Sequence, residues 1–113
     1  MRNRLSKSSL LLLGLLWLGP ALAAMAVAEV DAQRQSELQH LLRHDCGSCH
    51  GMTLKGGLGP ALLPQQLANK SDELLLNTIL FGRAGTAMPP WGKLISEADA
   101  RYLVQLLRQG GQR

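Results

Sequence analysis

Cys46-Gly47-Ser48-Cys49-His50 is the stretch from which the rest of this chain is read. It uses both cysteines of the 113-residue sequence and sets a histidine directly behind them. One helical turn separates the two thiols, so each can add to one vinyl group of a porphyrin, and the next residue supplies an imidazole beneath the iron. C-x-x-C-H is the spacing of covalent haem attachment. Two other chemistries use cysteines in this way. A thioredoxin-like redox pair belongs to a βαβ unit, and this chain shows no strand alternation. A zinc knuckle completed by His40 or His44 would normally draw on two well-separated ligand pairs, whereas every candidate here lies on one short segment. Haem is the reading that uses the whole motif.

With His50 as the proximal ligand, its other ring nitrogen needs a carbonyl to fix the ring's orientation. Pro60, after Gly59, is the expected neighbour, although Gly59-Pro60 alone reads as a plain turn. The second axial ligand must reach the opposite face of the ring from a distant part of the chain. His40 and His44 precede the motif by one or two turns, Met52 follows too closely, and Met25 is at or beyond the cleavage point. Met88 remains, in Gly85-Thr86-Ala87-Met88-Pro89-Pro90-Trp91, where two prolines stiffen the backbone. A lone methionine more often fills a core, but His/Met is an established haem ligand pair that raises the potential. Trp91 is expected to pack against the haem or its propionates, with a simple core role as the alternative. Lys55, Arg83 and Lys93 flank the same loops and read as a solvated face rather than a steering patch.

Around these loops the pattern is helical. Leu38, Leu41 and Leu42 recur at helical spacing, predicting a helix from about Asp31 to Asp45 that leads into the motif, with Gly51 ending the turn. Residues 52–70 read as a Gly- and Pro-rich loop. Ser71-Asp72-Glu73 opens a second helix, whose apolar side is assigned to Leu74, Leu75, Thr78, Ile79 and Phe81, and Gly82 stops it. A third begins at Ser96, capped with Asp99; Tyr102, Leu103, Leu106 and Leu107 form its inner stripe, and Gly110-Gly111 ends it. The expectation is an all-α fold, helix, loop, helix, loop, helix, wrapped around one cofactor that fills a leucine-rich core.

Ahead of this domain, Arg2, Arg4 and Lys7 form a basic start, residues 10–18 an apolar run, and Gly19-Pro20 a break. Ala21-Leu22-Ala23 and Ala24-Met25-Ala26 both offer cleavage signals. That order is a secretory signal peptide, expected over residues 1–24 with cleavage between 23 and 28, leaving a domain at 29–113. The uncharged span 8–28 approaches the ~20 residues a bilayer requires, so an uncleaved leader would be a membrane anchor. Its glycines, Pro20 and alanines argue against that. Three of the 12 basic residues leave with the leader, so the mature chain holds nine against eight acids and the formal charge of +4 largely disappears. Nothing then supports nucleic-acid binding.

The string from Cys46 to Leu62, C-G-S-C-H-G-M-T-L-K-G-G-L-G-P-A-L, together with G-T-A-M-P-P-W at 85–91, resembles class I monohaem cytochromes c, and among them the small NirC-type proteins called cytochrome c55X. The resemblance covers nearly all of the mature chain. It implies a cytochrome c fold, one covalent haem c on Cys46 and Cys49, axial bonds from His50 and Met88, and a periplasmic monomer that passes single electrons without catalysing a reaction itself. It also implies a redox partner, the haem-dependent nitrite reductase of denitrification. The alternatives are a factor in maturing that reductase's d-type haem, or a haem enzyme with an open iron site.

Overall fold

The structure is a computed structural model and describes residues 29–111. The leader expected over residues 1–24 lies outside the described residues. Helix α1 spans Ala32–Leu41, and its cap Asp31 accepts the Arg34 N–H at 2.9 Å. The chain does not leave the helix at Asp45. Leu42–Cys46 continues as a π turn, closed by the Gly47 N–H on the Leu42 carbonyl, and runs directly into α2, Gly47–His50. One helical rod therefore carries the cysteine motif, and Gly51 ends it at a φ of 87° that favours glycine.

The loop expected over 52–70 contains a short helix, α3, Pro64–Leu67. Composition alone makes Pro64 a loop residue, but at the first helical position its fixed φ and missing N–H are an advantage. Helix α4, Asp72–Phe81, begins at Ser71, whose hydroxyl accepts the Leu74 N–H at 3.1 Å, and stops at Gly82. Helix α5, Glu97–Arg108, carries a complete capping box: Asp99 N–H to the Ser96 hydroxyl at 3.1 Å, and Ser96 N–H to the Asp99 carboxylate at 3.0 Å. There is no strand among the described residues, and the fold is all-α. No helix among them is long and apolar enough to cross a membrane.

Helix α5 is the centre of the packing, with α1, α3 and α4 all laid against it. Leu38 from α1, Leu42 from the π turn, Leu76 from α4, and Leu103, Leu106 and Leu107 from α5 form half of the buried core. The inner stripe of α5 holds for its three leucines and gains Ala100 and Val104. Tyr102 is only half-buried, at the seam with α1, where its hydroxyl accepts from Gln39 Nε2 at 3.0 Å. The apolar side assigned to α4 needs correction. Leu75 is buried, but so is Leu76, while Phe81 is 72% exposed. Helix α4 is apolar on two sides, one laid on α5 and the other forming a cavity wall, so a single-stripe reading misplaces both Leu76 and Phe81.

Two arginines lock the frame. Arg108 donates to Asp72 Oδ1 at 2.8 Å, to the Leu67 carbonyl at 2.7 Å and to the Lys70 carbonyl, joining the end of α5 to α3 and α4. Arg34 donates through Nε and a terminal nitrogen to both oxygens of Asp99, at 3.2 and 3.0 Å, joining the starts of α1 and α5. Asp99 is 7% exposed, and the Arg34 guanidinium holds its carboxyl below the usual carboxylate range. A depressed folded-state pKa contributes stability above the unfolded value, and that stability is lost as pH falls through the folded one. Asp99→Ala is therefore expected to destabilise by about 2 kcal/mol near neutrality, through a lost cap and lost charge-assisted bonds. In denaturant melts at a series of pH values, its deficit against the parent should begin to close below about pH 4.

Candidate haem site

The rod that ends at His50 delivers its motif to the mouth of a cavity of about 910 Å³. Cys46, Cys49 and His50 line it from one side, Pro60 from the following loop, and Met88 and Trp91 from the loop between α4 and α5. The remaining wall is largely apolar and includes Leu74, Leu75 and Ile79 of α4 and Leu103 and Leu107 of α5. Both thiols are free, Cys46 half-buried and Cys49 exposed. Burial, followed by the negative charge of Asp45, pushes the Cys46 thiol up to about 11.

His50 is held from two directions. Its Nδ1 lies 2.7 Å from the Pro60 carbonyl oxygen. A carbonyl only accepts, so Nδ1 carries the proton and Nε2 is the ring nitrogen available as a ligand. Behind the ring sits Gly59, where an added Cβ would lie 2.9 Å from both Cε1 and Nδ1. The loop reaches this position because it folds back on the rod. Gly56 N–H bonds the His50 carbonyl at 2.8 Å and Gly59 N–H bonds the Cys49 carbonyl at 2.7 Å. Leu54 takes a φ of 58°, unusual for a branched side chain, and is kept there by burial in the core.

Met88 is pinned through its backbone at both ends. Its N–H donates to the Thr86 hydroxyl at 3.3 Å, and its carbonyl accepts the Arg83 N–H at 3.2 Å. The Thr86 hydroxyl in turn donates to the Arg83 carbonyl at 2.8 Å. The loop then lies back along α4, with Trp91 N–H on the Ile79 carbonyl and Gly92 N–H on the Leu80 carbonyl, both at 3.0 Å. Gly82 permits this approach, since a Cβ there would lie 2.6 Å from the Met88 carbonyl oxygen. Trp91 packs against the core and also lines the cavity.

His40, His44 and Met52 are not among the lining residues; all three are exposed. Of the cations that flank the loops, Arg83 lines the cavity while Lys55 and Lys93 do not. Sequence reasoning passed over Thr86, and at Gly82 it found the helix stop but not the close approach to Met88. A hydroxyl two residues before Met88 is a local backbone-bonding signal, whereas the close approach at Gly82 depends on the loop's return path. The donor set fits a haem: two thiols, an imidazole nitrogen and a thioether sulfur share one largely apolar space.

The comparisons with known proteins agree with this chemistry. A family model described as cytochrome C oxidase, cbb3-type, subunit III matches residues 33–107. Cytochrome c55X of Pseudomonas aeruginosa is 52% identical over 101 residues, covering 84% of this chain and 85% of the relative. A solved structure, the c-type cytochrome NirC, superposes with a TM-score of 0.70 at 56% identity, over 72% of this chain and 95% of its own. Dihydro-heme d1 dehydrogenase of P. aeruginosa is 37% identical over 73 residues, 65% of this chain but 15% of that much longer protein. A solved structure under that name superposes with a TM-score of 0.60 over 63% of this chain and 15% of its own. The chain belongs to the cytochrome c55X, or NirC-type, family of monohaem c-type cytochromes, electron carriers whose cofactor is covalently attached haem c.

Proposed function

We propose that this protein is a periplasmic, monomeric electron carrier of denitrification, with dissimilatory nitrite reductase as its partner. Cys46 and Cys49 would hold the haem through thioether bonds, and His50 and Met88 would be the iron's protein ligands. The observation that carries this reading is the convergence of four donors from two distant segments on one apolar cavity, with Nδ1 of His50 tied to Pro60. When bound, the haem supplies reversible one-electron chemistry at its iron. His50 and Met88 would supply the iron's two protein ligands, a His/Met pair that raises the potential and suits electron transfer rather than substrate binding. Pro60 fixes the imidazole's tautomer and angle. Leucines of α4 and α5 line the cavity with apolar surface and would shield a bound ring from water, which is one of the protein's levers on its potential. Trp91, which lines the same cavity, would pack beside the ring. The export reading rests on the leader pattern.

A second reading follows from the likeness to dihydro-heme d1 dehydrogenase. A dehydrogenase must pass the electrons it removes to an acceptor, and a one-electron carrier related to one of its domains suits that task. In this form the protein serves maturation of the reductase's d-type haem. A strain lacking the chain separates the two. Loss of a donor leaves nitrite reductase fully loaded with d-type haem but reduced more slowly by its physiological donors. A reductase purified without complete d-type haem would instead assign the protein to maturation, and one unchanged in loading and rate would overturn both.

A further inference from the structure

We propose that His40 and His44 form a chelating site for a divalent first-row transition metal, binding Cu²⁺ most tightly, on the outer face of the rod that carries the haem motif. The two histidines are four residues apart on one helical segment, the spacing that puts side chains on a common face and that helical zinc sites use for a histidine pair. Their ring centroids are 4.2 Å apart with the planes tilted by 35°. Both residues are exposed, and neither ring has a hydrogen bond or an ion pair among the described residues. Neither lines the haem cavity, so the electron-carrier reading makes no use of them.

The backbone explains why the rings lie so close. In a regular α-helix, residues four apart are offset by about 40° around the axis. His40 lies in α1 and His44 in the π turn Leu42–Cys46, whose closing bond spans five residues. A π turn takes more residues per revolution than an α turn. Positions four apart are thus brought more nearly into line along the axis, and the two imidazoles sit one above the other. Small χ rotations then direct one nitrogen of each toward a shared ion.

The ligand number follows from the neighbours. Glu37 lies one turn before His40 on the same face, but its carboxylate is held by Arg34 at 2.8 Å. Asp45 and Arg43, the chain neighbours of His44, are turned to either side of it around the rod, since adjacent helical residues do not share a face. The site is a two-imidazole chelate with water in the remaining positions. Imidazole donors favour copper, nickel and zinc, and for a given set the order of affinity peaks at Cu²⁺. The proposal does not depend on the partner or direction of electron transfer.

The test uses the haem-loaded exported protein in its reduced, diamagnetic state, titrated anaerobically with Zn²⁺ by calorimetry, and its oxidised state titrated with Cu²⁺ alone and followed by electron paramagnetic resonance. One ion per chain is expected, with the copper signal split by two imidazole nitrogens. His40→Ala and His44→Ala should each weaken binding roughly a hundredfold, because the second imidazole is no longer presented at high effective concentration. His44→Gln checks that removing the imidazole alone suffices. All variants should keep the parent haem spectrum, because the pair lies outside the cavity. Binding of either ion by the doubly substituted protein at the parent's affinity, or a copper signal from a single imidazole, would overturn the proposal.

Discussion

Met88→Ala should convert a closed haem into an open one. In the oxidised parent, a sulfur–iron bond gives a weak absorption at the red edge of the visible spectrum, and the variant should lose it. The reduced variant should bind carbon monoxide readily, whereas the parent should not. Its potential should fall by on the order of a hundred millivolts or more, within the ~0.8 V over which axial ligands set haem potentials. The sign follows from the soft thioether, which favours the ferrous state and raises the potential. The change is local, because Met88 is held through its backbone by Thr86 and Arg83 rather than through its side chain. It is also only half-buried, so its loss removes little core. A parent that already lacks the red-edge absorption and binds carbon monoxide would sink the assignment of Met88 as ligand.

The second large effect concerns the cysteines. The exported Cys46→Ala/Cys49→Ala protein should carry no haem that survives denaturing electrophoresis, and each single variant should retain at most one thioether link. The loss should reach the fold as well. Leu74, Leu75, Ile79, Leu103 and Leu107 all line the cavity, so a bound ring covers apolar surface from two helices. Each square ångström of such surface left in water forfeits about 25 cal/mol. A domain of this size has little stability in reserve, and covalent staples are the usual remedy. The double variant is therefore expected to accumulate poorly and to melt at a lower temperature than the parent. Full haem staining of the double variant on a denaturing gel would refute attachment through these thiols.

How far the chain can be read without its structure depends on how far each interaction reaches. The caps at Ser71 and Ser96 are legible because a hydroxyl meets an N–H three residues on. The termination at Gly51 and Gly82 is legible for the same reason, since the preference for positive φ resides in the residue itself. The π turn is not legible, because nothing in Leu42–Cys46 departs from an ordinary helical pattern. It stands where the rod passes from the core, with Leu38 and Leu42 buried, to the cavity that both cysteines line. Helix α3 was hidden in a stretch that composition marks as loop, and its Leu67 is buried only because α5 lies over it.

The site divides along the same line. C-x-x-C-H by itself determined the cofactor and its mode of attachment, because that chemistry lies within five consecutive residues. Helical periodicity and caps determined the all-α class. The tertiary structure decided which side of α4 faces the core and which faces the cavity. It also decided that Asp99, legible as a cap, joins α1 to α5 through Arg34, 65 positions earlier. Only the folded loop sets Gly59 against the His50 ring and Gly82 beneath Met88. Those contacts join segments far apart in the chain, and local pattern cannot specify them, since they form only when α1, α4 and α5 bury their leucines together.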